Sequence, residues 1–165
     1  MLKRNIKKSE MMLVIGYSLI LLFMIVQDWV PLGSLNDVEA IREVHSSQSL
    51  ITMTIINVFQ ILILLSLVII FIGKTYPIWL SIWLFIHPTI IFIGALFSWW
   101  IPYLFGYGAE EKVDDYHAMF GDTHSFLPMM NGIVPNTLHT LFHFTLLVCI
   151  LLTCFIIIQK KKSEN

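Results

Sequence analysis

Charged residues, cysteines and catalytic motifs are all scarce in this chain of 165 residues. Only 13% of the residues are charged, about half the share that is usual in a soluble domain, so an ordinary soluble fold is excluded. The two cysteines, Cys149 and Cys154, form no CxxC pair, and we interpret them as small packing residues. No GxSxG or HExxH motif occurs, which excludes the hydrolases and metalloproteases that those motifs identify.

Long apolar runs are what the sequence has instead, and 57% of its residues are hydrophobic. A helix needs about 20 residues to cross a hydrocarbon core of about 30 Å, and four runs reach that length. They cover 11–30, 50–73, 77–104 and 134–158, with loops at 31–49 and 105–133 and a tail at 159–165. We therefore predict one integral membrane domain over residues 1–165, all-α and folded as a four-helix bundle. The first run is too long for a cleavable signal peptide and is interpreted as a signal anchor.

The distribution of charge predicts how the chain crosses its membrane. Both ends and the short turn near residue 74 are basic, whereas the segments 28–49 and 105–133 carry nine acidic residues against Arg42 and Lys112. The basic residues are Lys3, Arg4, Lys7, Lys8, Lys74, Lys160, Lys161 and Lys162. By the positive-inside rule, both termini are cytoplasmic and both long loops are outside, in the plasma membrane of a bacterium. The same basic residues are explained by orientation and the lipid bilayer, so we expect no nucleic-acid partner.

The loop at 31–49 contains turn-forming residues followed by a short helical pattern. Asn36 or Asp37 is expected to cap a helix that ends near Val44, with Val38 and Ile41 on its apolar face. We predict that this helix lies on the membrane surface, and the alternative is a plain connector between the first two spans.

The loop at 105–133 is longer than most connections, and its aromatic and methionine side chains argue against disorder. We predict that it covers the outer mouth of the bundle. His117, His124 and the methionines allow an alternative interpretation, a patch that collects Cu(I), because imidazole and thioether ligands suit that ion.

Polar residues inside the last and third runs are the main functional signal. Asn136, His139 and His143 are spaced three and then four residues apart, so a helix places them on one stripe about 60° wide. His87 in the third run lies at a depth similar to that of His143, since both are about 12–15 Å from opposite ends of their spans. A histidine at that depth is costly unless it faces protein, water, a ligand or a metal.

The second run adds Asn57 and Gln60, three residues apart, and the first run closes with Asp28. Together these positions predict a polar pocket that opens to the outer side. The predicted ligand-binding residues are Asp28, Asn57, Gln60, His87, Asn136, His139 and His143. Gly94 and Ser98 in the third run have the small-residue spacing that lets another helix approach closely.

Several functions are consistent with this pocket. A transition metal could be held by His139 and His143 with His87, His124 or Asp28, and a b-type haem could be held between His87 and His143. A small organic ligand is the third option, and a membrane enzyme using the same histidines is an alternative. The remaining alternative is that the polar residues only fasten helices, contributing roughly 0.6–2 kcal/mol each, in an accessory protein with a membrane-protein partner or in a homo-oligomer.

Two stretches, "DWVPLGSLND" and "MFGDTHSFLP" followed by "VPNTLHTLFH", resemble small, uncharacterised four-span bacterial membrane proteins. The resemblance covers most of the chain, including both long loops. It implies a four-span architecture and carries no catalytic role over to these residues.

Overall fold

The computed structural model describes residues 5–164, with side chains described for 5–159. Lys3 and Arg4 therefore lie outside the described residues, as do the side chains of the basic tail. Within 5–164 the chain consists of helices joined by loops and forms no strand, which confirms the all-α prediction.

Four of the helices are long and apolar enough to cross a membrane, as the apolar runs predicted. They are α1 (Lys8–Val26), α3 (Ser47–Phe71), the segment Ile78–Phe105, and α7 (Thr137–Glu164), whose apolar part ends at Gln159. The helix α1 begins three residues before the predicted run because the Glu10 carboxylate accepts a hydrogen bond from the Lys7 backbone N–H at 2.9 Å. We call the end of the helices that carries Lys8 and Gln159 the terminus end, and the opposite end the loop end.

The four spans pack in the spatial order α3, α1, α7 and then Ile78–Phe105. The main core lies between them and is almost entirely apolar. Its fully buried side chains are Leu13, Tyr17, Leu64, Val68, Leu80, Leu84 and Leu146. The approach of α1 to α7 is closest at Gly16, where an added Cβ would lie 2.5 Å from the Cys149 Sγ. Cys149 is thus a packing residue, as its sequence context predicted.

The third span is not one regular helix. It consists of α4 (Ile78–Ala95), a π-helical turn (Leu96–Trp100) and α5 (Ile101–Phe105). In a regular α-helix the Ser98 carbonyl would accept from residue 102, but that residue is Pro102, which has no N–H and whose ring crowds that carbonyl. The helix widens instead, and the Ile101 N–H donates to the Leu96 carbonyl, five residues back.

The two long loops fold together at the loop end. The helix α2 (Val38–Val44) is capped by the Asp37 carboxylate, which accepts from the Glu39 and Ala40 N–H groups at 3.1 and 3.0 Å. It packs against α6 (Val113–Phe120) in the second loop. The His124 N–H donates to the Ser34 carbonyl and adds a direct bond between the loops. We call α2, α6 and their connecting segments the loop cap.

Tyr116 fastens the loop cap to the third span. Its hydroxyl donates to the Ser98 carbonyl at 2.8 Å, the group that Pro102 leaves without its helical donor. Burial, together with nearby Asp115, raises the pKa of Tyr116 to about 12, so the hydroxyl keeps its proton at neutral pH. Asn131 adds a second bond, from its Nδ2 to the Tyr103 carbonyl at 2.8 Å.

Candidate functional site

Asn136 immediately precedes α7 and caps it. Its Oδ1 accepts the His139 backbone N–H at 2.9 Å, which is the standard bond of a helix N-cap. The same oxygen contacts the His139 Nδ1 at 2.9 Å. Because the backbone N–H of His139 requires an acceptor, the Asn136 side-chain amide must present its Oδ1 to His139, and its Nδ2 points away from His139. That Nδ2 atom is buried and donates to no group in the described part of the chain.

His139 lies one turn into α7, enclosed by aromatic rings. Its centroid is 4.7 Å from that of Trp99, 5.0 Å from that of Phe120 and 5.4 Å from that of Phe23. Since the Asn136 Oδ1 can only accept, the His139 Nδ1 carries the hydrogen of the neutral ring. The Nε2 lone pair of His139 is then left to accept a hydrogen bond or to bind a cation.

His143 follows one turn deeper and has the opposite tautomer. Its ring centroid is 6.2 Å from that of His139, and its residue is only 3% exposed. The Trp100 Nε1–H, which can only donate, points at the His143 Nδ1 at 3.2 Å. The neutral His143 ring therefore carries its hydrogen on Nε2, so this atom is a donor.

We call Asn136, His139 and His143 the histidine cluster. It retains two donors, the Asn136 Nδ2 and the His143 Nε2–H, and one acceptor, the His139 Nε2. None of the three atoms is hydrogen-bonded to a residue that the structure describes. The Asn136 Nδ2 is a buried donor, and buried donors without partners are rare in proteins, so the arrangement is suited to a ligand that supplies an acceptor oxygen.

A groove of about 180 Å³ runs beside His143, between the third span and α7. Apart from His143, its lining residues are Phe92, Leu96, Trp100, Thr140, Phe144 and Leu147. Phe144 is 64% exposed on the outside of the helices, where lipid would surround a membrane protein. The apolar walls favour a lipophilic molecule over a freely soluble one.

His87 and His124, the other predicted metal ligands, have different surroundings. The His87 ring stacks on Trp83 at 4.9 Å, and no described contact joins it to the histidine cluster. His124 holds the start of α7, with its Nδ1 2.8 Å from the Thr137 Oγ1 and its carbonyl accepting the Thr137 N–H.

Between residues 5 and 159 there is no group of three or more His, Cys, Asp or Glu side chains that could hold a metal ion. The structure therefore does not bring the four predicted ligands together. The metal and haem hypotheses stay predictions, as does the proposed Cu(I) patch.

Asn57 and Gln60 lie on α3, which packs against α1. Both side chains are half-buried, and neither is hydrogen-bonded to any residue that the structure describes. Asn136, His139 and His143 therefore share no hydrogen bond with them. The single pocket that the sequence predicted is divided between two helices with different surroundings.

Asp28 lies beyond the end of α1, beside Gln27. The Gln27 Nε2 is 3.4 Å from the Asp28 Oδ2. Burial raises the pKa of the Asp28 carboxyl above its usual range, while nearby His45 and the Gln27 amide act against that shift. Trp29 ties this segment to α3, because its Nε1 donates to the Thr54 Oγ1 at 2.9 Å.

Sequence reasoning missed the aromatic partners of the histidine cluster. Tryptophans near the end of a span are typical of an interfacial aromatic belt. Trp99 instead packs on His139, and Trp100 bonds to His143. The available signal was Pro102, because a proline near the end of a span perturbs the preceding turn and reorients its side chains.

Comparisons with protein-family models, curated proteins and solved structures find no match to this chain. The predicted resemblance to four-span bacterial proteins therefore stays a prediction, and function is argued from the geometry.

Proposed function

We propose that this chain is a multi-pass protein of the bacterial plasma membrane that binds a small lipophilic molecule at the histidine cluster. Both termini are cytoplasmic in this proposal, and the loop cap faces outward. The asymmetry of basic and acidic residues between the two ends supports that orientation.

The observation that carries the proposal is the buried Asn136 Nδ2, which has no acceptor among the described residues. Its cost in an apolar environment is roughly 2–7 kcal/mol unless a partner is supplied. An oxygen acceptor of a ligand, such as a carbonyl group, would satisfy this donor or the His143 Nε2–H. The groove beside His143 would hold the apolar part of the same molecule.

The tautomers make an organic ligand more suitable than a metal ion. A metal held by both imidazoles needs a lone pair on each Nε2, but His143 carries its hydrogen there while it accepts from Trp100. Binding a metal through that atom would require His143 to change tautomer and lose the Trp100 bond.

The test is mass spectrometry of organic extracts from protein purified in mild detergent, with metal analysis of the same samples. We expect about one equivalent of a lipophilic compound with an acceptor oxygen in the wild type and its loss in His143→Phe. The matched control is His87→Phe, because His87 is also an intramembrane histidine of a span but contacts Trp83 instead. The proposal fails if the wild type carries no such compound, or if both variants lose it equally.

A second candidate is an accessory protein in which these residues only fasten helices. It is favoured by the fact that Asn136, His139 and His143 each make at least one bond within the chain. In that case His143→Phe changes stability alone, and the extracts of the two variants match that of the wild type.

A further inference from the structure

The exposed side of α3 carries a regular stripe that the histidine cluster does not use. Residues 53, 56, 60, 63, 67 and 70 alternate in steps of three and four, which is the spacing of a coiled-coil seam. The stripe consists of Met53, Ile56, Gln60, Ile63, Leu67 and Ile70. We call these six residues the α3 seam.

Most of the α3 seam lies away from the core, although Leu67 is half-buried and packs against it. Met53, Ile56, Ile63 and Ile70 are 37%, 53%, 38% and 55% exposed, whereas the core side of α3 is fully or nearly buried at positions such as Leu64. Among the described residues, α1 is the span that packs extensively on α3, and it contacts the core side.

Gln60 lies in the middle of the α3 seam, and Asn57 flanks it one turn earlier. Neither amide has a hydrogen-bond partner in the described chain, although both belong to a helix that is long and apolar enough to cross a membrane. Polar side chains of this kind stabilise contacts between membrane helices when the opposite helix offers donors and acceptors.

The chemistry of Gln60 identifies the partner helix. An amide carries both a donor and an acceptor, so two glutamines that face each other across a twofold axis satisfy one another. All copies of a membrane protein share one orientation, so two α3 helices would meet in parallel and in register. A single polar residue at a seam position is also the device that sets register and pairing in parallel coiled coils.

We propose that the chain forms a homodimer through the α3 seam, with Gln60 of each copy hydrogen-bonded to Gln60 of the other. Asn57 flanks this pair. The inference does not depend on ligand binding at the histidine cluster, which lies on α7.

The test is association of the full chain in vesicles of phosphatidylethanolamine and phosphatidylglycerol. Donor- and acceptor-labelled copies are mixed, and energy transfer is followed as the protein-to-lipid ratio is varied. We expect dimers in the wild type and a dissociation constant roughly three- to thirtyfold higher in Gln60→Leu, the range for interhelical hydrogen bonds in membranes.

Two neighbouring isoleucines provide the matched pair of packing variants. Ile56 is 53% exposed and lies in the α3 seam, whereas Ile55 is 63% exposed and lies beside it. We expect Ile56→Ala to weaken the dimer and Ile55→Ala to leave it unchanged. If Gln60→Leu loses helicity or thermal stability, the two isoleucine variants still test whether the chain dimerises through the α3 seam.

Three results would overturn the proposal. One is a wild type that stays monomeric at every protein-to-lipid ratio. Another is a dimer that is insensitive to both Gln60→Leu and Ile56→Ala. The third is a photocrosslinker at position 60 that captures a different membrane protein in cells and never a second copy of this chain.

Discussion

The helices α7 and α3 carry similar polar residues toward the loop end but differ in what those residues contact. On α7, Asn136 bonds to His139, and His143 bonds to Trp100. On α3, Asn57 and Gln60 have no hydrogen-bond partner among the described residues. The comparison shows that the role of a polar residue in a span depends on which helices pack beside that span.

The positions of the two helices explain the difference. The helix α7 lies between α1 and the third span, and 39% of its most apolar stretch is buried, against 22% for α3. Substitutions that crowd the contacts of α7 or remove its hydrogen bonds should therefore lower the free energy of unfolding. Equivalent changes on the outward side of α3 should leave the stability of the single chain unchanged. Four experiments follow, and the first two test that contrast directly.

The largest effect is expected from Gly16→Val, which breaks the contact between α1 and α7. A side chain at Gly16 would collide with the Cys149 Sγ, so we expect a loss of about 1–3 kcal/mol in the free energy of unfolding. Thermal or SDS-induced unfolding in detergent measures it. The matched control is Gly94→Val, since no described atom beyond its chain neighbours and the adjacent backbone of its own helix lies within 4 Å of a Cβ added there. Equal losses in the two variants would contradict the packing described for α7.

The open space at Gly94 also bears on its predicted role. The small-residue spacing of Gly94 and Ser98 predicted close approach by another helix, but no described residue of the chain approaches Gly94.

The next effect is the loss of a helix cap in Asn136→Ala. The change removes the acceptor of the His139 N–H and of its ring, so we expect a loss of about 0.5–2 kcal/mol. Asn57→Ala, measured on monomers in detergent by the same unfolding assay, should leave stability nearly unchanged. If Asn57→Ala were the more damaging of the two, the contrast between α7 and α3 would be wrong.

A smaller effect is expected from Tyr116→Phe, which disconnects the loop cap from the third span without changing its shape. Loss of the bond to the Ser98 carbonyl should cost about 0.5–1.5 kcal/mol. Hydrogen exchange should accelerate in α6, while α3 exchanges as in the wild type. Unchanged protection of α6 would show that this bond does not hold the loop cap.

The smallest effect concerns Asp28, whose pKa is raised chiefly by burial. The folded state binds this proton more tightly than the unfolded state, so the carboxyl favours folding at low pH and disfavours it once pH rises through the raised pKa. We therefore expect Asp28→Asn to gain no more than about 0.5 kcal/mol at neutral pH. The difference should vanish as pH falls toward the ordinary value of 3.8, in thermal melts across pH. A wild type that is the more stable at neutral pH would refute this account.

Patterns among residues close together in the sequence predicted the spans, the polar stripe of α7 and the cap of α2. The four apolar spans follow from length and hydrophobicity, and the stripe of Asn136, His139 and His143 follows from helical periodicity. Asp37, one of two candidate caps, is the residue that caps α2. Each of these features depends on residues close together in the chain.

The partners across helices could not be predicted in the same way. Whether His143 meets His87 or Trp100 depends on the rotation of the third span, which the π-helical turn changes within five residues. Whether Asn57 shares a pocket with His143 depends on α3 packing beside α1 and not beside α7. Neither the rotation nor the packing order leaves a pattern in hydrophobicity.

The π-helical turn at Leu96–Trp100 also constrains how the chain can change length. Deleting one residue there would close the wide turn into a regular one, so the backbone inside the turn would be rearranged while α4 and α5 kept nearly the same relative rotation. Both tryptophans and the Ser98 carbonyl would then face new directions, and the histidine cluster and the loop cap would lose their attachments together. In evolutionary terms, this turn should tolerate substitution more readily than insertion or deletion.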